Sequence, residues 1–428
     1  MTTHIAEQPL ADPLRVHEAL KRMRVLHAQG DYQPALDICL QITRAHPEFA
    51  DGWANAAVNG ARLGRWQNAL DYAQTALACG CRRFQVYDVL AYVHGKLEQW
   101  DKVHRYGLQA LNMRARYFSH APLVPLTSPG PLPPPPSTKT REHNIIAFSL
   151  FGSNSKYCEP AILNVQEQPQ VYPHWVCRFY VDDSVPGHVI NRLRAGGAQI
   201  VPVGAPAAQW PGPMWRLLAL DGRQAHRILF RDADSVISPR EAHAVDQWLV
   251  SGKRFHMMRD AYSHTELMLA GLWGAVAGSL PPLAQLMAHF MSAPLQSRHF
   301  ADQYFLRQYV WPYARVSLMQ HDSVFGFMDA VPFPDGARPQ DQDGHNVGYS
   351  EGSASFTLPC DRPDGSVATW ELYRMGRNSA DALIQTNRVC AYPGTVKNGA
   401  LKAHIPRRYR QWIDQGTAGV RLVSGDTA

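Results

Sequence analysis

Apolar and small residues recur along the first third of the chain with a period of 34. Gly30-Asp31-Tyr32 followed by Ala35-Leu36 returns as Gly64-Arg65-Trp66 followed by Ala69-Leu70. It returns again, without the glycine, as Glu98-Gln99-Trp100 followed by Val103. Ile38, Tyr72 and Tyr106 stand in register, as do Trp53 with Tyr87 and Ala57 with Ala91. A turn glycine, an aromatic two residues on and small residues where helices cross describe a repeated helix pair. One such pair cannot bury its apolar face alone, so about three must stack into a short superhelix with a concave face. Residues 121–140, rich in proline and free of acids, end the pattern and read as a stiff, partly polyproline linker.

Beyond the linker the period changes. Asn144–Leu150 is a continuous apolar strand, Trp175–Val181 a second, Gln199–Val203 a third and Arg227–Phe230 a fourth. Helical stretches are expected around Pro160–Val165, Pro186–Ala195 and Met214–Leu220, with a further strand at Phe255–Met258. Alternation of this kind implies a mostly parallel sheet flanked by helices, with ligands outside the carboxyl ends of the strands. The expected organisation is a helical array over 1–118, a linker over 119–142, an α/β body over 143–340 and a C-terminal extension over 341–428. The array resembles the tetratricopeptide repeat. That resemblance implies either a protein- or peptide-binding surface or a structural, dimerising prop.

Ile228-Leu229-Phe230-Arg231-Asp232-Ala233-Asp234-Ser235 carries the most chemistry. A buried strand that ends in Asp-x-Asp offers a hard divalent cation two carboxylates and open positions for substrate phosphates. Asp260 stands at the end of the Phe255–Met258 strand beside the same crevice, as a candidate base for an acceptor hydroxyl. Asp302-Gln303 opens a helix, where Asp caps well and can also meet a sugar hydroxyl.

Composition narrows the setting. With 45% hydrophobic and 18% charged residues, the chain reads as an ordinary globular protein with no apolar run of membrane-spanning length. The first residues lack a basic-then-apolar leader, and the seven cysteines form no CxxC pair, so reduced thiols in a cytoplasm are expected. A net charge of +6 without a long basic run suits phosphates or acidic glycans and does not support nucleic-acid binding.

Residues 144–325 resemble a nucleotide-sugar-dependent glycosyltransferase of the GT-A fold, with the motif order of the glycogenin/galactosyltransferase-like family 8. The resemblance implies that Phe148, Ser149, Leu150, Phe151 and Tyr157 bind the nucleotide, that Arg216 in Trp215-Arg216-Leu217 contacts the donor, and that Asp232 and Asp234 hold Mn²⁺ or Mg²⁺. His321 is implied as the third metal ligand, Ala270-Gly271-Leu272-Trp273-Gly274 as the counterpart of an Asn-x-Gly-hydrophobic segment, and Asp302 and Gln303 as catalytic. Two features depart from the pattern: Val331-Pro332-Phe333-Pro334 stands where Lys-Pro-Trp is usual, and Arg231 precedes the Asp-x-Asp.

The function expected from these features is metal-dependent transfer from a nucleotide-sugar, a UDP-sugar, to a protein or surface-polysaccharide acceptor. The array would recruit the acceptor or pair two copies of the chain. The alternatives are a nucleotidyltransferase using the same metal logic, or a non-catalytic tetratricopeptide scaffold with a degenerate body.

Overall fold

A computed structural model describes residues 13–126, 130–222, 224–295, 297–336, 346–377 and 383–423. The first twelve residues, linker residues 127–129 and the expected boundary at 340–341 lie outside the described residues.

The array, among the described residues, is six helices of tetratricopeptide-like type: α1 (Pro13–Gln29), α2 (Tyr32–Ala45), α3 (Ala50–Arg62), α4 (Trp66–Ala78), α5 (Phe84–Lys96) and α6 (Trp100–Tyr117). Gly30 and Gly64 turn the chain between paired helices at φ 86° and 73°. Glu98 takes the same left-handed conformation at φ 56°, which costs a side chain about 1 kcal/mol. The repeated aromatics pack within the array: Trp53 lies 5.8 Å from Tyr72 and Tyr87 6.4 Å from Tyr106.

Helix α6 belongs to two cores. Its Val103 and Leu111, with Phe118 just beyond it, are buried in the same cluster as Ile145, Phe230 and Phe325 of the body. Gly107 lies against the Phe325 ring so closely that a Cβ would not fit. Arg114 donates to Asp88 at 2.7 and 2.6 Å and to the Thr265 carbonyl at 2.8 Å, joining array to body. The proline-rich segment is held against the body too. Arg227 donates to the carbonyls of Pro134 and Pro133 at 2.6 and 2.8 Å, Arg254 to that of Gly130, and Tyr313 to that of Val124.

The body is built on a seven-stranded mixed sheet of β1 (Asn144–Leu150), β2 (Val176–Val181), β3 (Gln199–Pro202), β4 (Arg227–Phe230), β5 (Phe255–Arg259), β6 (Trp273–Val276) and β7 (Leu318–Asp322), in the order β3-β2-β1-β4-β6-β5-β7. β6 runs antiparallel to both β4 and β5, and the other pairings are parallel. The chain builds β1, β2 and β3 outward, then returns to place β4 on the other side of β1. This reversal opens a crevice at the carboxyl ends of β1 and β4.

Both faces of the sheet are covered, which is why β1 and β4 read as unbroken apolar runs. Ile145 and Ala147 face the cluster shared with α6, whereas Ile146, Phe148 and Leu150 face the opposite one. Helices α7 (Ser155–Val171), α8 (Gly187–Ala195) and α9 (Pro239–Val250) follow β1, β2 and β4; α10 (Leu283–Met291), α11 (Ala301–Phe305) and α12 (Trp311–Ala314) precede β7. A 3₁₀ helix over Gly212–Asp221 leads to β4.

The C-terminal part is a five-stranded antiparallel sheet, ordered β12-β9-β10-β11-β8, from β8 (Ala354–Pro359), β9 (Val367–Arg377), β10 (Leu383–Lys397), β11 (Ala400–Ile405) and β12 (Ala418–Leu422), with helix α13 (Arg407–Asp414). Its Trp370, Tyr392 and Tyr409 complete the cluster on the α7 side, where both tyrosines donate to the buried Glu159. Among the described residues no helix is long and apolar enough to cross a membrane.

Candidate active site

A cavity of about 450 Å³ occupies the crevice at the strand-order reversal. β1 delivers Ser149, Leu150 and Phe151 to it, the first turn of α7 delivers Lys156 and Tyr157, and the turn after β4 delivers Asp232 and Asp234. The 3₁₀ helix before β4 supplies Arg216, the loop before β6 supplies Ala270 and Gly271, and α11 supplies Asp302 and Gln303. Most of the residues picked out in the sequence therefore meet in one place.

Arg216 is the hub. It is 2% exposed and sends one Nη to Asp232 Oδ1 at 2.5 Å and to the Arg231 carbonyl at 2.7 Å, while the other reaches Asp302 Oδ2 at 2.6 Å. Ser149 fixes this residue to β1, because its Oγ accepts the Arg216 N–H at 2.9 Å and donates to the Pro213 carbonyl at 3.1 Å. The guanidinium is thus engaged by protein carboxylates, and its remaining Nε is buried without a partner among the described residues. Burial raises the Asp302 carboxyl above its ordinary range despite the pull of Arg216. Asp302 also accepts the N–H of Gln303 at 2.8 Å. Gln303 bridges the loop before β6, accepting from Ala270 N at 3.2 Å and donating to the Met268 carbonyl.

Asp232 has a half-exposed side chain, and Asp234 is partly buried beside it. Burial, then repulsion from Asp232, raises the Asp234 carboxyl, and Lys156 and a hydrogen bond from Ser350 only partly offset them. That serine donates to Asp234 Oδ2 at 2.7 Å, and Glu351 N donates to the Asp234 carbonyl at 2.8 Å. The C-terminal segment therefore clasps the Asp-x-Asp turn: Gly348 lines the cavity, its carbonyl accepts from Ser235 Oγ at 3.0 Å, and Gly352 packs so tightly on the Lys156 carbonyl that no Cβ fits.

Three expected site residues lie elsewhere. Phe148 is fully buried and stacks on Phe179 at 4.7 Å, in the core rather than the cavity. Asp260 is also fully buried. It takes two hydrogen bonds from Arg240 at 2.9 and 3.0 Å and one from Val347 N at 3.0 Å, so it anchors the C-terminal loop and is not free to serve as a base. His321 sits on β7, separated from β4 by β6 and β5. Its ring nitrogens meet His256 at 2.8 Å and Gln247 at 2.9 Å, and burial lowers its pKa to about 4. Among the described residues no three His, Cys, Asp or Glu side chains cluster as a metal site, so His321 does not join the two aspartates.

Sequence reasoning assigned no role to Lys156, His264, His299, Phe300 or Ser350, all of which line the cavity or touch Asp234. Lys156 carried a signal, as the one cation in the loop after the first strand; the others come from distant loops. His264 Nδ1 accepts the Asp260 N–H at 3.0 Å, which leaves Nε2 as a donor in the neutral ring, and burial lowers its pKa to about 3. Arg231 turns away from the cavity to Glu241 at 2.9 Å, which accounts for a cation before the Asp-x-Asp.

No protein family and no curated relative matches the chain. Three solved structures are distant likenesses. The TPR2AB-domain:pHSP90 complex of yeast Sti1 is 18% identical, with 24% of this chain and 41% of that one covered and a TM-score of 0.23. YrrB, a TPR protein with an unusual peptide-binding site, is 17% identical over 26% of this chain and 58% of its own, with a TM-score of 0.22. A mutant O-GlcNAc transferase of Thermobaculum terrenum is 16% identical over 66% of this chain and 60% of its own, with a TM-score of 0.28. At these scores none of the three establishes the fold or the activity of this chain.

Proposed function

We propose that the protein is a metal-dependent glycosyltransferase that moves a sugar from a nucleotide-sugar, a UDP-sugar, to a protein acceptor. The observation that carries this reading is the Asp232 and Asp234 pair at the carboxyl end of β4, beside the end of β1 and facing Lys156 across one cavity. Ligand crevices of α/β sheets open at such reversals, and α7 turns its amino end toward this one, which favours phosphate.

The residues fit a hard divalent cation. Asp234 is a partly buried carboxylate that lines the cavity, and Asp232 reaches the cavity beside it. Two carboxylates, with phosphate oxygens and water completing the shell, are a usual set for Mg²⁺ or Mn²⁺. Such a cation would neutralise the diphosphate as it departs. Lys156 adds a second positive charge for the same group. Arg216 is a positioning residue: it fixes Asp232 and Asp302 in relation to each other. Phe151, packed edge-on against Trp215 at 5.5 Å, and Tyr157 offer aromatic surface to a base. The neutral His264 and the buried Asp302 offer a donor and an acceptor to sugar hydroxyls.

The test is turnover. Incubation with a panel of UDP- and GDP-sugars and Mn²⁺ should release UDP from one of the UDP-sugars, and release should stop on chelation. No release from any nucleotide-sugar, with the cation present and a protein acceptor supplied, would refute the reading.

A further inference from the structure

The loop between β5 and β6, residues 261–272, has two sides. One faces the proposed transfer site: His264, Leu269, Ala270, Gly271 and Leu272 line that cavity, and Gly271 lies against the Asp232 carboxylate. The other faces the helical array. Tyr262 stands over α5 and the start of α6, its ring 5.7 Å from that of Tyr92 and 6.3 Å from that of Trp100. Lys96 Nζ lies 5.9 Å from the centre of the same ring.

The ring fits because position 95 is glycine. A Cβ there would overlap Tyr262 Cγ, the root of the ring, so flipping the ring could not clear it. Three residues on, the array grips the loop again. Arg114 of α6 donates to the Thr265 carbonyl at 2.8 Å and pairs with Glu266 at 3.3 Å. Array contacts at 262, 265 and 266 therefore bracket His264, which lines the cavity and accepts the Asp260 N–H at 3.0 Å. A loop is a mobile place for a functional side chain unless neighbouring elements fix it. The array has another foothold on the body, away from the cavity. There Gly107 faces Phe325, and His104 Nδ1 donates to the Val324 carbonyl at 3.2 Å. Neither Val324 nor Phe325 lines the cavity.

We infer that Tyr262 is a positioning residue through which the array holds the β5–β6 loop, with His264 and Gly271, in place at the transfer site. Helices α5 and α6 are then part of the framework of that site. Displacing the ring at the array surface shifts the loop that carries His264 and that abuts Asp232. The consequence for transfer rests on the glycosyl-transfer reading; the hold on the loop does not.

Hydrogen exchange on the full chain tests the hold without any ligand. Tyr262→Ala should speed amide exchange across 261–272 by roughly tenfold or more while β1 keeps its protection. Tyr262→Phe, which keeps the ring, should restore the slow exchange. Unaltered exchange of the loop in Tyr262→Ala would overturn the proposal. Calorimetric titration of UDP with Mn²⁺ then tests the site. Gly95→Ala, which displaces the ring, should weaken binding by about tenfold. Gly107→Ala presses on Phe325 instead and should leave affinity near wild type, although overpacking lowers the melting temperature of both variants. Equal loss of affinity in the two glycine variants would overturn the role of Tyr262, because the site would then respond to any loosened contact with the array. If Gly95→Ala fails to fold, Tyr262→Ala carries the same titration, and wild-type affinity in it would overturn the positioning. Absence of Mn²⁺-supported UDP binding in the wild type would overturn the transfer reading, and positioning for transfer with it, while hydrogen exchange still decides whether the array holds the loop.

Discussion

Replacing Gly271 with alanine should cripple metal-dependent nucleotide binding and leave the protein folded. The backbone at Gly271 is outside the left-handed region, so alanine is allowed there; the obstacle is spatial. A Cβ would overlap Asp232 Oδ2 and Cγ and come within 3.2 Å of Asp232 N. The carboxylate cannot simply retreat, because Arg216 holds its Oδ1 at 2.5 Å while also holding Asp302 at 2.6 Å. Swinging Asp232 aside breaks a charge-assisted hydrogen bond worth about 1.5–3 kcal/mol, which corresponds to roughly a tenfold to hundredfold loss of affinity if binding requires the carboxylate in place. Stability should fall by no more than that bond, about 1.5–3 kcal/mol, since the side chain of Asp232 is 49% exposed and can rotate toward water while Arg216 keeps Asp302. Calorimetric titration of UDP with Mn²⁺ present, beside a thermal melt, measures both quantities. Wild-type affinity would refute the role given to Asp232, and a collapsed melting temperature would show that Gly271 serves folding instead.

Arg216→Lys should weaken Mn²⁺-supported UDP binding by about tenfold, because one ammonium cannot serve Asp232, Asp302 and the Arg231 carbonyl together; wild-type binding would show that the bridge is dispensable. Deleting residues 1–138 should give insoluble or unfolded protein. Val103, Leu111 and Phe118 are each 6% exposed or less in the shared core, and at about 1.5–3 kcal/mol apiece their loss rivals the stability of a whole domain. A soluble fragment with a cooperative melt would refute that docking. The pH dependence follows His321. Its folded pKa, about 4, lies below its unfolded value, so its contribution is complete above about pH 6.5 and is lost as pH falls toward 4. In that window the urea stability of the wild type should fall more steeply than that of His321→Asn, by about one proton, or 1.4 kcal/mol per pH unit. Parallel slopes would contradict the neutral buried ring.

The parts of the fold legible in the sequence were those whose pattern is local. β1 and β4 declare themselves because both faces of the sheet are covered, and the helix pairs because their turns repeat, even where Glu98 replaces glycine. Asp232 and Asp234 were legible because they end an apolar strand, and Asp302 and Gln303 because they open a helix; Arg216, inside a helix, joined them only through the resemblance to GT-A transferases. What escaped depends on partners chosen in space. β6 is four residues of apolar sequence whose direction no local pattern reveals, and its insertion beside β4, with β5 beyond it, carries His321 away from the aspartates. The resemblance implied that Arg216 contacts the donor, but two carboxylates distant in sequence engage it. Asp260 looked like a base at a strand end, yet Arg240 and Val347 N enclose it. Ser350 closes on Asp234 from 116 residues away.

The central claim is that Asp232 and Asp234 bind a nucleotide diphosphate through a divalent cation. Calorimetric titration of UDP into the wild type and into Asp234→Asn, each with Mn²⁺ and with chelator, tests it most directly. Asparagine keeps the shape of the side chain and an oxygen for Ser350 while removing the charge. The account predicts clear binding to the wild type with Mn²⁺, weak binding under chelation, and a variant whose affinity with Mn²⁺ falls to the metal-free level. UDP binding that ignores Mn²⁺ in the wild type, or that survives unchanged in Asp234→Asn, would contradict it.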